Sequence, residues 1–139
     1  EDNGLYNVEI LGHKHRNEAL QILKGATALV FPSQWYETFG LVNIEAYATG
    51  KPVIAAGFGT MLEVIENGKT GLHFAPNDPQ DLADKVRCLW EEPALTHQLG
   101  EQARKIYEQK YTPKANYARL IEIYEETKSR FNSYHTART

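Results

Sequence analysis

The sequence predicts an α/β domain: a doubly wound parallel sheet of the Rossmann type, followed by carboxy-terminal helices. Three short apolar runs, at residues 28–31, 53–56 and 72–74, lack polar alternation. This is typical of strands covered on both faces of a parallel sheet. Stretches with helical spacing separate the runs, which favours strand-helix-strand units. Only helical patterns follow residue 91, so the remaining helices come after the sheet.

The elements in the first third of the chain are predicted from the alternation of apolar and polar residues and from glycine and proline residues that end helices and strands. Apolar residues alternate with polar ones over residues 6–11, which is typical of a half-exposed edge strand. Residues 17–24 then show helical spacing, and Gly25 ends that helix. Pro32 ends the strand at 28–31, and a helix that begins near Gly40 follows.

The second half of the chain carries clear boundary signals. A short helix at 62–66 joins two strands, and the dipeptides Asp78-Pro79 and Thr112-Pro113 each cap a helix, while Pro93 starts another. The last helix carries an apolar stripe at helical spacing, which predicts core packing, formed by Tyr117, Leu120, Ile121 and Tyr124. We therefore expect one domain over residues 1–131 and a disordered tail over 132–139.

Composition narrows the function classes. The 139 residues include 15 basic and 18 acidic side chains, a net charge of -3, and no basic block, which argues against a nucleic-acid partner. The single cysteine, Cys88, excludes an internal disulfide and favours a reducing compartment. No apolar run approaches the roughly 20 residues of a membrane span, and residues 1–4 do not open a signal peptide. We expect a cytoplasmic protein.

The most informative segment is Glu37-Thr-Phe-Gly-Leu-Val-Asn-Ile-Glu45, in which two carboxylates straddle a glycine at the expected start of a helix. In a parallel sheet, the loop between a strand and the next helix lies at the carboxyl edge, where ligands bind. The first helical amides, those of Phe39, Gly40, Leu41 and Val42, would suit a phosphate or diphosphate. Gly40 would let the anion come close.

The spacing of the two glutamates suggests a sugar nucleotide. Glu45 lies about 7 Å further along the helix axis, at 1.5 Å per residue, where a carboxylate can accept hydrogen bonds from a ribose diol. Glu37 would face the donor sugar from the loop. The alternative is that Glu37 is a solvated loop acid and Glu45 an ordinary surface residue of the helix, and the pair alone leaves this open.

A series of motifs resembles the carboxy-terminal nucleotide-binding domain of family 4 glycosyltransferases of the GT-B fold. The match runs in order from about residue 5 to 125. It consists of Phe31-Pro32-Ser33, Glu37-Thr38-Phe39-Gly40, Glu45-Ala46, Gly50-Lys51-Pro52-Val53-Ile54-Ala55, Gly59, Glu63, Gly68, Gly71-Leu72, Pro76 and Asp81-Leu82-Ala83.

The resemblance implies retaining transfer of a sugar from a nucleotide-diphosphate sugar, without a metal ion or other cofactor. It assigns catalytic roles to Glu37, near the donor sugar, and to Glu45, on the ribose. The main-chain amides at 39–42 would hold the diphosphate.

The loop after the first strand would contact the base, through Gly12, His13 and Lys14. The spacing of His13 and His15 alone is weak evidence for a metal site, and we expect solvated side chains there. Lys14 and Arg16 are likewise expected to be surface charges.

Two departures from the family pattern matter. Thr60 stands where the family often has a second glycine after Gly59. The family domain also opens with a strand, a Gly-Arg turn and a lysine, and the two cations neutralise the diphosphate; this chain begins after that unit. We therefore expect part of one half of an enzyme, inactive alone, whose missing amino-terminal acceptor domain would supply the acceptor contacts and any peripheral membrane contact.

The missing unit also affects the predicted topology. In the strand order 3-2-1-4-5-6, the strand at 6–11 would be separated from the strand at 28–31 by two absent strands. Because unpaired strand edges invite partners, we expect either pairing of 6–11 with 28–31 or a strand-exchanged dimer.

The leading function is the donor-binding part of a glycosyltransferase in polysaccharide or glycoconjugate biosynthesis. The alternative is a non-catalytic nucleotide-sugar-binding or scaffold module. A dinucleotide-binding oxidoreductase is a third interpretation, but Leu62 stands where its glycine fingerprint, begun by Gly57-Phe58-Gly59, needs a glycine.

Overall fold

The structure, a computed structural model, describes residues 7–136, with side chains described for residues 7–131. It contains a parallel sheet in the order β1-β2-β3. The strands are β1 (Leu29–Phe31), β2 (Val53–Ala56) and β3 (Gly71–Phe74). Each strand agrees with one of the three predicted apolar runs to within one residue, so the predicted α/β class with a parallel sheet is confirmed.

Helices follow each strand and extend the chain beyond the sheet. Asp78 caps the fourth helix as predicted, since its side chain accepts hydrogen bonds from the amides of Gln80 and Asp81. The helices are α1 (Arg16–Gly25), α2 (Leu41–Ala48), α3 (Met61–Val64), α4 (Pro79–Glu91), α5 (Pro93–Ile106) and α6 (Pro113–Thr136), with a π-helical turn at Tyr107–Tyr111 between the last two.

The central strand β2 divides the core into two layers. Val53 and Ala55 belong to one cluster with residues of α2 and α3, whereas Ile54 and Ala56 belong to the other with Leu89 of α4. All four residues of β2 are buried. Because successive side chains of a strand point to opposite faces, this alternation shows that helices cover both faces of the sheet.

The predicted edge strand at residues 6–11 is wrong for the part that the structure describes. Residues 7–11 form no strand, and β1 pairs only with β2 among the described residues. Ile10 is 92% exposed. A segment of alternating polarity forms a strand only when it pairs with a neighbouring strand, and no described strand pairs with this segment. Intrachain pairing with β1 is therefore excluded for residues 7–11; Tyr6 lies outside the described residues.

The last helix also differs from the prediction. Its apolar stripe is predicted to lie in the core, but Tyr117, Leu120 and Tyr124 are exposed. Neither core cluster contains a described residue of α6. The helix is described as far as Thr136, and residues 137–139 lie outside the described residues. The domain over residues 1–131 and the disordered tail over 132–139 stay predictions. Helical spacing thus predicted the helix but not its burial.

Asp81 ties the start of α4 to the end of β3, and this link makes stability depend on pH. Its carboxylate accepts a hydrogen bond from the Ala75 amide at 2.7 Å and pairs with Lys85 at 3.1 Å. These contacts, the Ala75 amide first, lower the pKa of Asp81. Because the pKa is lower in the native state, the ionised carboxylate stabilises the fold at pH values above the pKa of an unfolded aspartate, about 3.9. This stability is lost as the pH falls through the native pKa.

We expect Asp81→Ala to lower the melting temperature at neutral pH. The gap to the parent protein should shrink as the pH falls from about 5 to about 2, because both forms then lack the carboxylate contacts. Thermal unfolding followed by circular dichroism at several pH values measures this. Asp84→Ala is the control, since the Asp84 carboxylate contacts only exposed side chains of the same helix. A gap for Asp81→Ala that stays constant with pH would contradict the assignment.

Candidate functional site

The start of α2 is shaped by a glycine in the left-handed conformation. Gly40 precedes the helix with φ of 69°. A Cβ at this position would lie 2.6 Å from Nδ2 of Asn43 and 3.3 Å from Cε of Met61. Gly40 is therefore required both by its backbone angles and by the side chains packed beneath it. The sequence interpretation, that Gly40 gives an anion close access, stays a prediction.

Helix α2 is fixed in the core by its buried face. Asn43, Ile44, Ala46 and Tyr47 are all buried. The Tyr47 hydroxyl donates to the Val64 carbonyl at 3.1 Å and lies 2.5 Å from the Thr70 hydroxyl. Burial raises the pKa of Tyr47 far above its usual value, so this group stays a protonated donor at physiological pH. The helix therefore has a fixed direction relative to β2 and α3.

The amino-terminal end of α2 is open on its outer side. The Leu41 side chain is 71% exposed. Among the described residues, no backbone oxygen accepts a hydrogen bond from the amides at 39–42. Phe39 packs edge-on against Tyr111, with 5.9 Å between the ring centroids. Among the described residues, the first amides of α2 thus have no backbone partner, and the side chain of Leu41 leaves one side of the tip exposed. That an anion binds there stays a prediction.

Glu37 lies in the loop between β1 and α2, where three hydrogen bonds hold it. Its side chain is partly buried, and Oε1 accepts from the Ser33 hydroxyl at 2.9 Å. Its carbonyl accepts from the Thr60 hydroxyl at 2.7 Å, and its amide donates to the Trp35 carbonyl at 2.8 Å. Ser33 follows β1 and Thr60 follows β2, so Glu37 lies at the carboxyl edge of the sheet.

Glu45 lies on the side of α2 that faces α1. Its Oε1 is 3.0 Å from Nε of Arg16, and its side chain is 31% exposed. Glu45 borders a cavity of about 570 Å³ that is also lined by Leu41, Arg16 and Lys24. Glu45 therefore shares one cavity with the first residue of α2, and its predicted contact with a ribose stays a prediction.

Arg16 is a surface charge, as predicted, since its side chain is 75% exposed, but sequence reasoning missed its ion pair with Glu45. It begins α1 and is 29 positions from Glu45, so no local spacing could connect them. Its ion pair with Glu45 brings the start of α1 against α2. Two residues before it lies the predicted base-contacting segment of Gly12, His13 and Lys14, whose residues are all exposed.

The His13 and His15 rings meet edge to face, with centroids 6.1 Å apart. Within residues 7–131, no group of three or more histidine, cysteine, aspartate or glutamate side chains is arranged to hold a metal ion. The predicted absence of a metal and of a cofactor in the reaction stays a prediction. In the same part of the chain, every helix is too short or too polar to cross a bilayer.

Comparison with known proteins places this fold among sugar-transferring enzymes. Sucrose-phosphate synthase from Thermosynechococcus elongatus superposes with a TM-score of 0.79 at 29% identity, over 88% of this chain and 31% of that one. Anabaena HepE, solved in complex with UDP-glucose, gives a TM-score of 0.78 at 28% identity, over 88% of this chain and 34% of that one. These neighbours define the class: a glycosyltransferase domain of the GT-B fold.

The family follows from the sequence match. Residues 2–106 match the family described as Glycosyl transferases group 1, and the chain belongs to this family. Glycogen synthase from Mycobacterium tuberculosis is 40% identical over 95 residues, which cover 68% of this chain and 23% of that protein. The chain spans 23% to 35% of the length of the first relatives it matches. The predicted glycosyltransferase class is confirmed, and membership argues against the oxidoreductase interpretation.

The structure of the helix tip predicts a specific sensitivity at Gly40. We expect Gly40→Ala to reduce the free energy of unfolding by about 2 kcal/mol, because alanine is strained at this φ and its Cβ displaces Asn43. Denaturant titration measures this. Gly68→Ala is the matched control, since Gly68 has φ of 75° but open space around it, and it should cost about 1 kcal/mol. Equal losses for the two variants would show that packing against Asn43 is unimportant.

Proposed function

We propose that this chain is the donor-binding part of a retaining family 4 glycosyltransferase that takes a sugar from a nucleotide-diphosphate sugar. The observation that carries the proposal is the open tip of α2, with Glu45 in the cavity beside it and Glu37 fixed in the adjoining loop. The similarity to HepE, whose structure was solved with UDP-glucose, supports this donor class. The acceptor would be a growing polysaccharide or glycoconjugate.

In this proposal the diphosphate binds at the tip of α2. The amides at 39–42 donate to phosphate oxygens, and the positive end of the helix dipole adds to the attraction. During transfer the nucleoside diphosphate leaves with growing negative charge, while positive charge develops on the anomeric carbon. Donors already fixed in place stabilise that leaving group without reorganising. The buried face of α2 supplies this rigidity.

Glu45 binds the ribose of the donor. Arg16 contacts Oε1, while no described residue donates a hydrogen bond to Oε2, which leaves this oxygen available to a diol. Glu37 acts at the donor sugar, and the bond from Ser33 to its Oε1 orients the carboxylate. Gly12, His13 and Lys14 would contact the base from the segment before α1.

The remaining parts of the enzyme lie outside this chain in the proposal. An acceptor domain would face the donor site and provide any membrane contact, and a Gly-Arg turn and a lysine would neutralise the diphosphate. The chain alone, as a single domain, would then turn over donor at a negligible rate. Because intrachain pairing is excluded for residues 7–11, we propose that the segment before α1 forms a strand-exchanged dimer. We also propose a cytoplasmic location for the protein.

A titration with nucleoside diphosphates tests the binding site. We expect UDP, ADP or GDP to shift the amide NMR signals of residues 39–42 of this chain. Glu45→Gln should weaken binding about tenfold, since it removes the charge from hydrogen bonds to the ribose. Glu101→Gln, an exposed glutamate on α5, is the control. No shift with any diphosphate, or equal affinity of the parent and Glu45→Gln, would refute the assignment.

Glu37 should affect transfer rather than nucleotide binding. In the intact enzyme we expect Glu37→Gln to lower kcat about a hundredfold, a loss typical of one group that stabilises a transition state. Affinity for the nucleoside diphosphate should stay within about twofold, because the proposed contact is to the sugar. Donor consumption and diphosphate binding are measured on the same preparations. A variant that binds diphosphate normally and transfers at the parent rate would contradict the role of Glu37.

The same assays test the alternative function. If the parent enzyme binds nucleotide sugar but transfers nothing, the binding-module alternative is favoured.

A further inference from the structure

The loops after β1 and β2 are joined at the backbone of Glu37. The Thr60 hydroxyl donates to the Glu37 carbonyl at 2.7 Å, and both residues are partly buried. The two residues are 23 positions apart, so this bond connects separate strand-helix units. The bond acts on the peptide unit that links Glu37 to Thr38, and it therefore restrains the backbone from which the Glu37 carboxylate extends.

Aromatic packing joins the same two loops a second time. The Tyr36 and Phe58 rings meet edge to face, with 5.6 Å between their centroids. A Cβ on Gly59 would touch the Tyr36 ring at 3.4 Å. The residue before Glu37 thus packs against the two residues before Thr60. The two loops therefore form one unit at the carboxyl edge of the sheet.

The Thr60 hydroxyl is not needed by the helix that Thr60 begins. A threonine at the start of a helix commonly uses its side chain to cap the first amides. In α3 the side chain of Thr60 makes no capping bond. The amides of Leu62 and Glu63 instead donate to the carbonyls of Gly59 and Thr60, at 3.2 and 3.0 Å. The hydroxyl therefore serves the loop of Glu37 rather than α3.

We propose that Thr60 is a positioning residue for Glu37, which holds the peptide plane of Glu37 while Ser33 holds its carboxylate. The proposal rests on the proposed function, in which Glu37 acts at the donor sugar. In the family pattern this position often holds glycine, which has no hydroxyl to donate, so the restraint would be a feature of chains that carry threonine or serine here. Two hydroxyl groups from the loops after neighbouring strands thereby hold Glu37, one at its carboxylate and one at its main-chain carbonyl.

The test compares Thr60→Val, which keeps the shape and removes the hydroxyl, with Thr60→Ser, which keeps the hydroxyl. In the intact enzyme, we expect Thr60→Val to lower kcat about fivefold, with KM for the donor within about twofold, the size of effect expected for one neutral hydrogen bond. Thr60→Ser should restore kcat to within about twofold of the parent. The melting temperature should change little, because the amides of α3 keep their main-chain partners.

Thr127→Val is the matched control, since the Thr127 hydroxyl also donates to a carbonyl at 2.7 Å, but on α6. It should leave kcat unchanged. A Thr60→Val enzyme with the parent kcat would overturn the proposal. So would a Thr60→Ser enzyme as slow as Thr60→Val, because the hydroxyl would then be irrelevant.

A second measurement separates this proposal from the proposed function. Hydrogen exchange of the Glu37 amide, which donates to the Trp35 carbonyl at 2.8 Å in the loop that Thr60 restrains, needs no substrate. It should become about fivefold faster in Thr60→Val and stay at the parent rate in Thr60→Ser. If the parent protein consumes no nucleotide sugar but exchange responds in this way, the proposed function fails and the restraint by Thr60 stands. Unchanged exchange in Thr60→Val would overturn the restraint itself.

Discussion

The site depends on one constraint, the close packing beneath the first turn of α2. Gly40 takes a left-handed conformation over the Asn43 side chain, and Tyr47 fixes the other end of the helix to Val64 and Thr70. The proposed anion site consists of backbone amides, so it has no side chain that can adjust to the ligand. Its precision therefore comes from how well the helix itself is held, and here the hydrophobic core provides that hold.

The two acids are held by different means. Glu37 is restrained by neutral hydroxyl groups in partly buried loops, whereas Glu45 pairs with an exposed arginine across a cavity. An exposed ion pair contributes little stability and exchanges partners readily. Glu45 can therefore accept a new partner at low cost, while Glu37 keeps its orientation. A rigid acid at the reacting sugar and an adaptable one at the ribose suit the two tasks proposed for them.

The sequence predicted the sheet because its strands are buried on both faces and read as apolar runs. The burial that stabilises such a strand can be read directly from its apolar residues. For Val53–Ala56 the predicted and observed bounds agree. Alternation at residues 6–11 carries no such information, since a half-exposed strand exists only beside a partner. The ion pair of Arg16 with Glu45 and the hydrogen bond of Thr60 to Glu37 could not be predicted, because each connects residues from different units of the fold. Spacing along the chain predicts contacts within a helix or a turn but not across the sheet.

The exposed stripe of α6 has a consequence for how this chain unfolds. The helix has 24 residues, and its described part contributes nothing to either core cluster. A helix that packs mainly on the neighbouring π-helical turn gains little stability from the core, so it melts largely according to its own weak propensity, over a broad range of temperature. A single melting temperature would then describe the sheet and the helices packed on it, while the ellipticity of α6 declines gradually before that transition.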